Sequence, residues 1–198
     1  MEVQFTGSWY DETAEREAAN LLIQNGCKLI SQHADSMGAP TACETANIPN
    51  VSYNGSTVTA CPNTFIVSSR IDWTPFFSFA VKQVLAKAEI PADWTGTIGT
   101  NSVLLTDVNT QAAAEGTQAK MDEVKAALVA GTLHVFDTDT FTVNGEKLTS
   151  YLADIDTDAA YTGDTEVIKD GYFHESEYRS APAFDLRIDG ITLLNEKY

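Results

Sequence analysis

Residues 6–38, TGSWYDETAEREAANLLIQNGCKLISQHADSMG, decide the fold. A short β-prone run over residues 3–6 leads into Gly7-Ser8-Trp9-Tyr10-Asp11. Ala14, Ala18, Leu21, Leu22 and Asn25 then recur at helical spacing and make one mostly apolar face. Asp11 or Thr13 can cap the start of that helix, and Glu15 and Glu17 lie near its positive end. Asn25-Gly26 supplies a left-handed stop. Residues 28–31 form a second apolar run, which ends in Gln32-His33-Ala34-Asp35-Ser36. Two successive strands therefore end in polar and aromatic side chains, and at that edge of a parallel α/β sheet small ligands bind.

The same alternation continues outward. Residues 37–46 read as a weaker helix and 48–53 as a third strand. The order so far is β-α-β-α-β, whose parallel connections are right-handed crossovers. Residues 64–68 read as a fourth strand. Phe77, Ala80, Val81, Val84, Leu85 and Ala88 follow the pattern of a strongly amphipathic helix, which Pro91, Trp94, Gly96 and Gly99 break. A short strand is expected over 102–106 and a helix over 117–130, with Met121, Val124 and Leu128 inward and Gly131 as its stop. A further strand is expected over 133–136. Beyond it the composition turns to Asp and Thr. A hairpin is expected over 141–148 around Asn144-Gly145, and a second where Asp189-Gly190 splits two apolar runs within 180–195. The expected organisation is an α/β ligand-binding lobe over 1–136 and a β-rich extension over 137–198, packed on the same domain.

Composition narrows the function. The 198 residues suffice for a full core, and 43% are hydrophobic and 10% aromatic, which excludes disorder. Acidic residues number 28 against 12 basic, a formal charge of -16. Such a surface repels phosphate backbones and anionic headgroups, so no nucleic-acid partner is expected. No apolar run reaches membrane-spanning length, and no charged-then-apolar leader follows Met1. Cys27, Cys43 and Cys61 lack metal-ligand spacing, and their odd number argues for reduced structural thiols.

Several motifs imitate chemistry without supporting it. His33, Asp35 and Ser36 are sequence neighbours, whereas a catalytic triad is assembled from separate strands and loops, and no G-x-S-x-G elbow occurs. Asp35 or Ser36 can equally serve as a helix cap. Asp154, Asp156 and Asp158 resemble the start of a calcium loop, but Ala159 and Thr165 stand where Gly and Glu are needed. His134 and His174 are isolated, so no metal site is expected, and the absence of a glycine-rich phosphate fingerprint argues against a nucleotide cofactor. No cofactor is expected at all. The aromatics carry more weight. Trp9 and Tyr10 sit on a strand-to-helix corner, Tyr53-Asn54 end the third strand, and Asp72-Trp73 follow the fourth. Aromatic faces beside carboxylates and amides suit a heteroaromatic or sugar ligand. With His33 and Asp35 these six are the candidate ligand-binding residues. Core or edge packing is the plain alternative for Tyr53 and Trp73.

In their order, Gly7-Ser8-Trp9-Tyr10-Asp11, Glu17-Ala18-Ala19 and Ile30-Ser31-Gln32-His33-Ala34-Asp35-Ser36 resemble the basic membrane protein (BMP) family of ABC-transporter substrate-binding lipoproteins. Residues 69–77, Gly116-Thr117, residues 131–137 and Ser180-Ala181-Pro182-Ala183-Phe184-Asp185 fit the same family. The resemblance implies a three-layer, parallel-sheet lobe of a type I periplasmic-binding-protein-like fold, with hinge strands included in residues 1–136. It also implies a small solute, often a purine nucleoside, held between two lobes. An ABC permease as partner and a lipid tether outside the cytoplasmic membrane follow from it too. By position, Trp9 corresponds to the aromatic that stacks on the base. Asn54 falls near an acidic ribose-gripping residue and Asp72 near a basic ribose-contacting one, each differing in type. By this resemblance the chain is expected to be the second lobe, with no first lobe, signal peptide or lipobox ahead of Met1, and so either a fragment or a chain that completes its pocket as a homodimer through the surface left by the first lobe. The leading expectation is a non-enzymatic solute-binding component of an ABC importer, or a fragment of one, that binds a small polar, nucleoside-like ligand at the C-terminal edge of its sheet. The alternative is a stand-alone ligand-sensing or interaction module of the same fold. A hydrolase built on His33 and Ser36 is the weakest reading.

Overall fold

A computed structural model describes residues 1–156, 160, 162–178 and 184–195. Asp158 and Ala159 of the calcium-like run, and Ser180, Ala181, Pro182 and Ala183 of the C-terminal stretch, lie outside the described residues. The elements are β1 (Glu2–Val3), α1 (Glu12–Gln24), β2 (Ile30–Ser31), α2 (Gly38–Ala46), β3 (Asn50–Tyr53), β4 (Phe65–Ile71), α3 (Thr74–Ala86), β5 (Val103–Leu105), α4 (Thr117–Val129), β6 (Leu152–Ala153), β7 (Thr165–Glu166), β8 (Ile168–Lys169), β9 (Tyr172–Phe173) and β10 (Thr192–Leu193). They fall into two compact units. The first comprises Met1–Asp72, Val103–Asp122 and Ile191–Tyr198, and the second Trp73–Ser102 and Glu123–Gly190.

The first unit is the α/β one. Its sheet has the order β2-β3-β4-β5, with β2, β3 and β4 parallel and β5 antiparallel to β4. Helix α1 starts as its sequence dictates: the Asp11 side chain accepts hydrogen bonds from the Thr13 and Ala14 amides. Gly26, at φ +97°, supplies the left-handed turn after it. Helix α2 packs on α1 through Ala19, Ala39 and Ala42, three small buried residues that allow close approach. Gly38 closes the crossing, because a Cβ there would lie 2.2 Å from the Glu12 carbonyl oxygen. On the sheet side Ile30, Phe65 and Val67 are buried with Cys43 and Cys61. Burial pushes the Cys43 thiol up to about 12, with Cys61 nearby adding to the effect. A thiol reagent at pH 8 is therefore expected to label Cys27 alone, with Cys43 and Cys61 reacting only after unfolding, as mass spectrometry of the labelled protein would show.

One expectation for this unit is corrected. Strand β1 does not join β2 in a continuous β-α-β-α-β sheet; it pairs in parallel with β10, as Glu2 with Thr192 and Val3 with Leu193. The predicted hairpin at Asp189-Gly190 fails for the same reason, since the strand after the turn runs beside β1. Asp189 instead accepts from the Thr142 hydroxyl at 2.6 Å and the Gly145 amide at 2.8 Å.

In the second unit a core of Ala153, Val167, Ile168 and Phe173 is flanked by Phe136, Tyr151, Phe184 and Leu186. Helix α3 buries Phe76 and Phe79 in part, against Trp94, at ring-centroid distances of 5.4 and 6.4 Å. Its apolar stripe is otherwise exposed: Phe77 is 59% exposed, Val84 64% and Leu85 79%. The amphipathic pattern thus gives the helix correctly while its face stays uncovered. The strand expected over 133–136 does not form. His134 stacks on Tyr172 at 3.6 Å, and the Phe136 carbonyl accepts from the Phe173 amide, so these residues edge β9 without ladder geometry. The Asn144-Gly145 turn forms with both residues at positive φ, closed by a single bridge between Val143 and Glu146.

Candidate functional site

The space between β1 and β2, where the sequence suggested strand pairing, is a cavity of about 470 Å³. Residues 3–9 line one side and residues 30–34 the other, with Glu15, Ala18, Ala19 and Leu22 of α1 and Ala39 of α2 completing it. The lining is mostly apolar and includes Trp9, Phe5, His33, Gln32 and Glu15, with no lysine or arginine.

Two of the candidate ligand-binding residues, Trp9 and His33, lie in this lining. Trp9 is 75% exposed, so its indole stands at the mouth free to stack on a ligand. Asp35 sits beside it, its amide donating to the Trp9 carbonyl at 2.8 Å. The His33 ring lies 5.5 Å from that of Tyr53, which places Tyr53 behind His33, outside the lining. Tyr10 is exposed next to Trp9 but does not line the cavity. Asn54 adopts a left-handed φ of 68° and donates from its amide to Ser69, so it shapes the turn after β3. Asp72 ends the first unit's segment, half-buried, and is absent from the lining. Trp73 belongs to the second unit, where it contacts Phe76 and Phe77 at 6.3 Å each.

Sequence reasoning assigned Glu15 only to the helix dipole. In the structure it is 2% exposed and fully engaged. One carboxylate oxygen accepts from the Asp11 amide at 3.0 Å, and the other from the Ser36 hydroxyl at 2.6 Å and the Ser36 amide at 3.2 Å. The local signal was a reciprocal cap, with Asp11 capping the helix and an acid one turn later reaching back to it. Ser36, 1% exposed, also accepts from the Gly38 amide, so the hydroxyl is a cap as well as a donor. Gln32 was read only as part of a strand end; its side-chain oxygen is buried without a hydrogen-bond partner. Among the described residues no group of metal-ligating side chains is assembled.

The mixed α/β unit thus has a ligand-sized cavity at the ends of its parallel strands, the edge where small molecules bind in such sheets. Solved structures share the fold. An ABC transporter system solute-binding protein from Conexibacter woesei DSM 14684 aligns at 22% identity and TM-score 0.53, covering 66% of this chain and 44% of that one. One from Aeropyrum pernix K1 aligns at 15% identity and TM-score 0.53, covering 66% and 46%. The family of ABC transporter substrate-binding proteins described as PnrA-like (Bmp) matches residues 1–132, and the chain belongs to it. That family is one of binding proteins, not enzymes. Among curated relatives, the ABC transporter glucose-binding protein TsgA13 of Haloferax volcanii is 32% identical over 95 residues, 48% of this chain and 24% of that protein. The purine-binding protein BAB2_0673 of Brucella abortus (strain 2308) is 28% identical over 85 residues, 43% of this chain and 24% of that protein. The matches thus span about a quarter of each curated relative and less than half of each solved structure.

Proposed function

We propose that this chain supplies the solute-binding wall of an ABC importer's receptor, and that the cavity between β1 and β2 takes a small uncharged ring solute of nucleoside or sugar type. The observation that carries the reading is the cavity itself: about 470 Å³, with Trp9 and His33 in its lining and no lysine or arginine. That volume suits one small ligand. Without lysine or arginine, and in a chain of charge -16, a phosphorylated or carboxylate ligand has nothing to neutralise it. An uncharged ring can stack on Trp9 and offer hydroxyl or amine donors to Gln32. The names of the two relatives, one glucose-binding and one purine-binding, are consistent with a ring solute. In this reading Asp35, Tyr10, Tyr53 and Asn54 are outer solute contacts beyond the cavity lining. Asp72 and Trp73 keep their proposed role as solute contacts. The remaining partners are an ABC permease and a second copy of the chain. Family membership favours an extracytoplasmic location, tethered to the membrane in the intact protein.

Thermal-shift titration with adenosine, glucose, adenosine monophosphate and amino acids tests the reading. A ligand at a hundredfold excess over Kd adds about 2.7 kcal/mol, and a chain of this length gains about 2–4 °C per kcal/mol. Adenosine or glucose is expected to raise Tm by about 5–10 °C while the monophosphate does not. Trp9→Ala should weaken that ligand about tenfold, about 1.4 kcal/mol, with little change in unliganded Tm because the ring is exposed. A response to the monophosphate alone, or to nothing in the panel, would sink the proposal.

A further inference from the structure

We infer that Glu15 is a positioning residue for this site: it fastens the two segments carrying the ligand-facing side chains into one wall. The inference rests on the proposed binding role of the cavity but is read from separate geometry.

The packing of α1 on α2 brings the two segments near each other, but few hydrogen bonds join the segments themselves. The first, residues 7–11, turns from β1 into α1 and carries Trp9. The second, residues 32–37, leaves β2 and carries His33 and Asp35. Strands β1 and β2 are not hydrogen-bonded to each other, so no ladder keeps these ends in register. The Asp35 amide on the Trp9 carbonyl is one cross-link. Glu15 supplies the others. Its carboxylate accepts the Asp11 amide at the end of the first segment and both the amide and the hydroxyl of Ser36 in the second. Ser36 passes the constraint on, since its hydroxyl oxygen accepts from the Gly38 amide at the start of α2.

A carboxylate is costly to bury, and apolar packing would serve simple stability as well. Its desolvation is offset here by three hydrogen bonds and the first turn of α1, where backbone N–H groups converge. Hydrogen bonds to a charged acceptor are shorter and more directional than apolar contact, so they fix geometry as well as proximity. Glu15 also lines the cavity, so both segments are anchored at its wall. The chemistry demands a carboxylate in particular. Glutamine has the same size but one acceptor oxygen, so it can accept from the Asp11 amide or from the Ser36 amide, not both.

Hydrogen exchange followed amide by amide, on the unliganded protein and its Glu15→Gln and Ser36→Ala variants, tests the inference. Glu15→Gln should raise exchange at Asp35 and Ser36 at least tenfold while the β3 and β4 amides keep their protection. Ser36→Ala, which removes the 2.6 Å bond and the acceptor of the Gly38 amide but leaves the Ser36 amide on Glu15, should give a smaller rise at the same two positions. In titrations with adenosine and glucose, Glu15→Gln should lower the affinity of whichever binds the wild type about tenfold. Unchanged exchange at Asp35 and Ser36 in both variants would overturn the inference. So would a rise spread evenly over the whole unit, which would mark Glu15 as a purely structural group. Should Glu15→Gln fail to fold, Ser36→Ala decides alone by the same two amides. The exchange readout needs no ligand. A wild type that binds neither probe therefore defeats the proposed function, whereas unaltered exchange defeats the positioning role.

Discussion

Gly38→Ala is expected to lower Tm by about 6–12 °C, the counterpart of about 3 kcal/mol from overpacking in a chain of this length. The added Cβ would lie 2.2 Å from the Glu12 carbonyl oxygen, 3.0 Å from the Arg16 amide nitrogen and 3.1 Å from the Glu12 carbonyl carbon. All three atoms are α1 backbone, so no side chain can swing aside. Either α2 moves off α1 or the first turn of α1 opens. Displacement of α2 parts Ala39 and Ala42 from Ala19, and the small residues that made the contact leave a gap too narrow for water. The same movement pulls the Gly38 amide from the Ser36 hydroxyl and so disturbs the wall that carries His33. Gly55→Ala is the control. Nothing lies within 4 Å of its added Cβ and its φ is not left-handed, so Tm should stay within about 2 °C of wild type. Calorimetry of the pair checks this, and equal melting of Gly38→Ala and Gly55→Ala would refute the account of the crossing.

What the sequence made legible follows from how local each signal is. Helix α1 was readable, with Asp11 and Thr13 left as alternative caps, because its cap, its apolar period and its stop at Gly26 all lie within one segment. The Asn144-Gly145 turn was readable for the same reason. The partner of β1 was not, because Glu2 pairs with Thr192 and no local pattern encodes a contact across so much chain. Residues 133–136 look like a strand by composition, yet β8 and β9 already pair with each other, leaving Phe136 to pack on Phe173 and Phe184. Helix α3 shows the converse limit. Periodicity tells which face is apolar and says nothing about what covers it, and Phe77, Val81 and Val84 remain exposed. In the site, Trp9 and His33 stood out because aromatic and imidazole groups are unusual at strand ends. Glu15 did not, since an acid in a first turn is ordinary, and only the fold brings Ser36, 21 residues away, onto its carboxylate.

Charge should govern the stability of the whole chain, with salt and acid acting in opposite directions. With 28 acidic residues against 12 basic, the folded state holds a formal charge of -16 in a compact volume that the unfolded chain relieves by expanding. The ion pairs Arg16–Glu12, Lys147–Asp139 and Lys169–Glu177 are all exposed and offset little of this repulsion. Raising sodium chloride from 0.05 M to 1 M shortens the screening length to about 3 Å. That change is expected to stabilise the protein by about 2 kcal/mol, or about 4–8 °C in Tm. Potassium chloride should give the same curve, because screening depends on ionic strength and not on the cation. Acid also removes negative charge, and the sequence pI is near 4.3, but it should not reproduce the effect. Hydrogen bonds from Ser150 and the Tyr151 and Ile168 amides hold Glu166 below its ordinary value of 4.5, and Lys169 does the same for Glu177. Thr142 and the Gly145 amide hold Asp189 below 3.8. At Glu44, desolvation acts upward but is outweighed by Asn63 and Thr64. Each of these groups binds protons less readily folded than unfolded, so each contributes stability above its unfolded value and loses it as pH falls through the folded one. Tm should therefore climb with salt at pH 7 and drop as pH goes from 5 to 3 at fixed salt. A flat salt curve would refute the repulsion argument, and a Tm that kept rising down to pH 3 would refute the role of these four carboxylates.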